Sequence, residues 1–178
     1  MYPPAVLSET RIIDICSCIV TGVGVALGSS IGGTVDREIV TFGEIVWDQC
    51  DCGQLAVTVK QMYPSNFFPN DDSNTRSNCG QPLLVIKLGV SVVRCVPVPD
   101  ENGVAPEPTE LRDASYIAMS DAFIVRETVR CILQGWYDAA PQLIADFNLG
   151  AQMVAGPQGG CGGTELDVAF ALFIGCEC

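Results

Sequence analysis

Hydrophobic positions fall along this chain in two distinct rhythms, and the boundaries between them predict its elements. Near the start, Ile12, Ile13, Cys16, Ile19 and Val20 recur at helical spacing, which predicts an amphipathic helix over about 8–22, with Ser8 as its N-cap. The glycines from Gly22 onward are expected to end it. Residues 38–47 then read as a strand, or as a bent pair of strands pivoting at Gly43. Leu55, Val57 and Val59 alternate with Ala56, Thr58 and Lys60, the pattern of a half-buried strand. The run over 83–95 is too rich in β-branched residues for a good helix and predicts a long strand, stopped by the prolines at 97 and 99.

The clearest helix is expected over about 109–136. Thr109 reads as its N-cap, Glu110 suits the positive end of its dipole, and Leu111, Ala114, Ala118, Ala122, Val125, Val129, Ile132 and Trp136 share one stripe that should pack on the sheet. A weaker strand is expected over 147–154 and a glycine-rich loop over 156–163. The last strand places Leu166, Val168, Phe170, Leu172 and Ile174 on one face. Elements in this order predict a single α+β domain over 1–178, with a mixed, mainly antiparallel sheet packed against the N-terminal helix and the long helix.

Between the second and third strands the composition turns to Pro, Asn, Asp and Ser, which predicts a long loop over about 63–82 with Phe67 and Phe68 embedded in it. Loops of this length in compact domains tend to be functional or disordered. It is a candidate interaction arm; the alternative is a surface excursion pinned to the core by Tyr63, Phe67 and Phe68. The stretch over 12–31 is apolar enough to resemble a signal peptide or membrane anchor. Asp14 and the following glycines break it, and neither is expected.

Composition narrows the chemistry. Nine basic against 21 acidic residues give a net charge of −12, which opposes a surface that wraps nucleic-acid phosphates. Histidine is absent, which removes the usual general base near neutral pH and the commonest metal ligand. No catalytic residue, cofactor site or metal site is expected. The glycine clusters lack the lysine of a phosphate loop, and the one at 156–163 leads into a strand, so a hairpin or bulge turn is the better reading. Of the ten cysteines, Cys16, Cys18, Cys95 and Cys131 lie in apolar runs, where thiols behave as small hydrophobes. Cys50, Cys52, Cys79 and Cys161 lie in loop-like sequence and are candidates for a disulfide or a structural role; Cys50 and Cys52 lack the matched second pair of a zinc knuckle.

Four segments carry a resemblance: Trp47-Asp-Gln-Cys-Asp-Cys-Gly-Gln-Leu-Ala-Val-Thr-Val59, Tyr63-Pro-Ser65, Arg94-Cys-Val-Pro-Val-Pro-Asp100 and Gly159-Gly-Cys-Gly-Gly-Thr-Glu-Leu-Asp-Val168. With these the chain resembles, over nearly its whole length, the neck proteins of long-tailed phages of actinobacteria, and most of all their tail terminators. The resemblance implies a structural virion protein of the head–tail junction, assembled in the host cytoplasm, with no enzymatic activity. It implies a ring of six subunits that caps the tail tube, docks it to the head-side stopper or connector, and lets genomic DNA pass an acidic channel without specific binding; no membrane is involved. A stopper or another connector ring is the neighbouring alternative, and a secreted binding module stapled by disulfides is the alternative from another class. Rings need heterologous interfaces, for which arms and strand edges serve. Tyr63, Phe67, Phe68 and Arg76 in the long loop, with Glu38 and Trp47 at the ends of the predicted hairpin, are the candidate interface residues.

Overall fold

A computed structural model describes residues 10–43, 53–71, 83–139 and 143–173. The elements are α1 (Thr10–Leu27), β1 (Arg37–Phe42), β2 (Gln54–Ser65), β3 (Leu83–Cys95), α2 (Pro108–Tyr137), β4 (Asp146–Gln158) and β5 (Cys161–Phe173). The strands form one sheet in the order β1-β2-β3-β5-β4. β1 runs parallel to β2, and every other pair is antiparallel. Both helices lie on one face, so the fold is α+β with a mixed, mainly antiparallel sheet backed by helices.

Alternation fixes which side of each strand meets the helices. Leu55 and Val57 of β2, Ile86, Leu88, Val90 and Val92 of β3, and Leu166, Val168, Phe170 and Leu172 of β5 form one buried layer. Ile15, Ile19, Val23 and Leu27 of α1 close over it, with Val125, Val129 and Leu133 of α2. Each such side chain taken wholly from water contributes roughly 1.5–3 kcal/mol. β2 departs from the half-buried expectation, because Ala56 and Thr58 on its other side are buried too. It is an interior strand whose small far-side residues are also covered.

The helices differ from expectation at their ends. α1 does not stop at Gly22 but continues to Leu27. Gly22 is a packing residue, since a Cβ there would come within 2.7 Å of the Ile132 side chain on α2, whereas a Cβ on Gly24 would meet only the movable end of the Glu38 side chain on β1. The close approach of α2 compensates the weak helix propensity of Gly22. The core side of α1 is also rotated from the expected one, since Ile13 is exposed while Val23 and Leu27 are buried. The proposed cap Ser8 lies outside the described residues.

α2 begins one residue before Thr109, with Glu107 as N-cap and Pro108 in the first turn, where its fixed φ suits the helix. The Glu110 carboxylate accepts a hydrogen bond from the Glu107 N–H at 3.1 Å. The expected stripe holds only in its second half. Asp121, Val125, Val129 and Leu133 are the buried positions, and Leu111 is exposed.

β2 runs on through Tyr63 to Ser65, so the loop begins at 66 and not at 63. β4 and β5 are longer than expected, and most of the proposed 156–163 loop is strand. Gly159 and Gly160, with φ of 59° and 83°, form a two-residue hairpin turn between Gln158 and Cys161. Ile174 lies outside the described residues.

Candidate interaction surfaces

β1 and β4 stand at opposite ends of the sheet, and among the described residues neither has a strand on its outer side. Four strand spacings separate them, about 19 Å. The flank at β1 combines that strand with α1. Glu38, Val40 and Phe42 are in register with Leu55, Val57 and Val59, so they share the helix side of the sheet. Val40 and Phe42 are exposed, as is Ile13 on α1. The other flank combines β4 with α2. Gln152 Nε2 donates to the Ala122 carbonyl at 2.8 Å and Arg126 to the Gly150 carbonyl at 3.2 Å, joining helix to strand. Between the first half of α2 and the β4–β5 hairpin lies an open cleft of about 410 Å³, with Pro97, Leu111, Ala118, Met119 and Val154 on its walls.

The expected interface residues divide. Tyr63 is buried among Val85 and Ala171, with Phe68 against them. Its hydroxyl donates to the Pro69 carbonyl at 2.6 Å, and the Lys87 ammonium stands 5.1 Å from the centre of its ring. Tyr63 and Phe68 therefore pin the start of the loop and are not offered to a partner, a correction that follows from β2 carrying Tyr63 on its far face. Phe67 is 76% exposed and remains available. Glu38 is exposed on β1, with its carboxylate over Gly24. Arg76 and Trp47 lie outside the described residues.

Cys50, Cys52 and Cys79 also lie outside them. Cys161 opens β5 and is in a disulfide. Cys16, Cys18 and Cys131 are thiols. Burial pushes the Cys16 thiol up to about 11. Among the described residues no three His, Cys, Asp or Glu side chains are grouped to hold a metal ion. No helix among them is long and apolar enough to cross a membrane.

Two charged clusters were not legible in the sequence. At the end of β3, Arg94 Nε donates to Asp121 Oδ2 at 2.5 Å, and its Nη2 donates to Asp121 Oδ1 at 3.3 Å and to the Gly33 carbonyl at 2.6 Å. Its Nη1 donates to the Thr34 carbonyl at 3.3 Å. One guanidinium thus ties β3, α2 and the α1–β1 turn together. On the helix-free side of the sheet, Lys60 lies at an irregularity of β2 and pairs with both Glu165 and Asp167 of β5. Burial lowers the Lys60 pKa, but the two carboxylates outweigh it and hold the ammonium above the usual lysine value. The signal for the first cluster was an Asp on the apolar side of a helix; nothing in the sequence named its partner.

Comparison of the sequence with protein-family models and with curated proteins finds no match.

Proposed function

We propose that this protein is a structural subunit of a phage neck, most like a tail terminator, which forms a ring of six at the head–tail junction of the virion. In this reading the ring caps the tail tube and joins it to the head-side stopper or connector, and it acts by assembly and not by catalysis. One observation supports the reading most: a sheet whose two flanks, at opposite ends and without an outer strand among the described residues, differ from each other. A subunit with two different sticky flanks joins head to tail, the kind of contact that closes into rings. The net charge of −12 agrees with a channel past which DNA slides without adhering. The six-fold number and the tube and connector partners come from the resemblance of the four sequence segments.

Native mass measurement and electron imaging test this, on the chain alone and mixed with a tail-tube protein. Closed rings, stabilised by the tube protein, are expected. A chain that stays monomeric in both conditions overturns the reading. The disulfide at Cys161 favours a second reading, a secreted module stapled by bridges. Thiol counting on the denatured chain separates them: a neck subunit keeps most of its ten cysteines reactive without reductant, whereas the module keeps few.

A further inference from the structure

The outer side of α2 carries Arg112, Tyr116, Met119, Phe123, Arg126 and Arg130 at successive spacings of 4, 3, 4, 3 and 4 residues. Residues so spaced line one face of a helix. Tyr116, Met119 and Phe123 are 50%, 58% and 69% exposed, so the fold itself leaves this stripe unburied. Arg126, bonded to Gly150 of β4, sets the stripe on the β4 flank, while Gly22 against Ile132 and Gly32 against Ile117 set the opposite side of α2 toward α1. Large aromatics, Met and Arg are the residues enriched where protein interfaces carry their binding energy. Arg112 and Arg130 each lean on a neighbouring carboxylate, Asp113 at 3.2 Å and Glu127 at 2.9 Å. These pairs are open to water and weak, so they leave the arginines able to recruit a further acidic group.

The opposite flank is complementary. On its helix side β1 exposes Val40 and Phe42 beside Glu38, with Asp36 just before the strand, and α1 adds exposed Ile13 and Asp14. Arg37 is in register with Gln54 and belongs to the other side of the sheet. The stripe from Arg112 to Arg130 is about 27 Å long at 1.5 Å per residue, and the 18 residues of α1 span the same length. In so acidic a chain, a basic apolar stripe facing an acidic apolar flank of equal length on another copy attracts where two like flanks repel.

We infer that the α2 stripe docks against the α1–β1 flank of a second copy of this chain, with Phe123 and Met119 as apolar anchors and the arginines meeting Asp36 and Glu38. The inference rests on the ring reading and names the contact that would build it. The test compares wild type with Phe123→Asp, with Arg112→Glu/Arg130→Glu, and with that pair combined with Asp36→Arg/Glu38→Arg, by native mass spectrometry and sedimentation, with and without tail-tube protein. All the changed positions are exposed, so wild-type circular dichroism and urea midpoints are expected. The first two variants are expected to weaken subunit association about 30-fold or more, and the charge-swapped combination to regain at least about tenfold. Wild-type assembly by both stripe variants overturns this contact and leaves the ring reading standing. Intact oligomers that lose only tube binding assign the stripe to the tube protein and overturn the second-copy occupant. A stripe-dependent oligomer that ignores the tube protein sustains the contact and removes the neck assignment, and a wild type monomeric in every mixture overturns both.

Discussion

Arg94→Ala is expected to be among the most damaging single changes outside the hydrophobic core. Asp121 is 2% exposed and Arg94 14%, so the wild-type carboxylate receives two guanidinium hydrogen bonds almost out of water. Removing the arginine leaves that carboxylate buried without its cation, and it also strips the Gly33 and Thr34 carbonyls of a donor. Breaking a buried pair from one side costs about 3–5 kcal/mol, so the change should lower the melting temperature by about 6–20 °C for a domain of this size. Asp121→Ala should fall at the lower end of that range, because the guanidinium keeps both carbonyl acceptors. The double change Arg94→Met/Asp121→Leu removes both charges together and should lie within about 2 kcal/mol of wild type, the residual cost being the two orphaned carbonyls. Urea unfolding with the disulfide intact measures all three, read from the midpoint at constant slope. An Arg94→Ala variant within about 1 kcal/mol of wild type at unchanged slope would refute the reasoning, since it would mean the carboxylate is solvated.

Two glycines should respond with opposite sign to the same change. Gly163→Ala drives a Cβ into the backbone carbonyl of Val92 within the β3–β5 ladder, for about 1–3 kcal/mol of destabilisation, whereas Gly24→Ala displaces only the exposed tip of Glu38 and should gain up to about 1 kcal/mol from helix propensity; thermal melts decide both. With its thiol pushed up to about 11, Cys16 should resist maleimide at pH near 8 in the native protein while the exposed Cys18 and Cys131 react, as peptide mass mapping would show; equal rates at all three would contradict the burial. A lysine whose folded pKa is raised stabilises fully below its unfolded pKa and loses that contribution as pH climbs through the folded value. The stability gap between wild type and Lys60→Met should therefore be small and constant from neutral pH upward, and should close above the ordinary value of 10.5; a gap that widens there would contradict the pairing with Glu165 and Asp167.

What the sequence disclosed was whatever repeats along one element. β3 was legible to its end residues because a long run rich in β-branched residues is closed by the prolines at 97 and 99, and the body of β5 because large and small or charged residues alternate from Leu166 to Leu172. What stayed hidden depends on a neighbour from elsewhere in the chain. Gly22 reads as a helix breaker because the Ile132 side chain that takes the place of its missing Cβ comes from α2. Tyr63 read as an arm because nothing local says that β2 continues beneath it. The Arg94 tie joins residues 27 and 61 positions apart, and no periodicity encodes such a meeting. The stripe on α2 was hidden in another way. The helix carries apolar residues on two sides, and the spacing of Val125 and Val129 that packs it on the sheet leaves Met119 and Phe123 as a second face that periodicity alone does not single out.

That second apolar side is costly for a monomer, which would gain solubility by replacing Met119, Phe123 and Val154 with polar residues. The disposition of positive charge sharpens the point. The chain has nine basic residues; Arg94 turns inward to Asp121, and Lys60 is held by Glu165 and Asp167 on the helix-free face of the sheet. All three arginines of α2 instead lie on the exposed stripe, set among aromatics and on the same side as the β4 flank of the sheet. A surface selected only for solubility has no reason to gather scarce cations there in a chain carrying 21 carboxylates. A subunit that must recognise the acidic flank of its own copy, and must not pair like flank with like, does have such a reason.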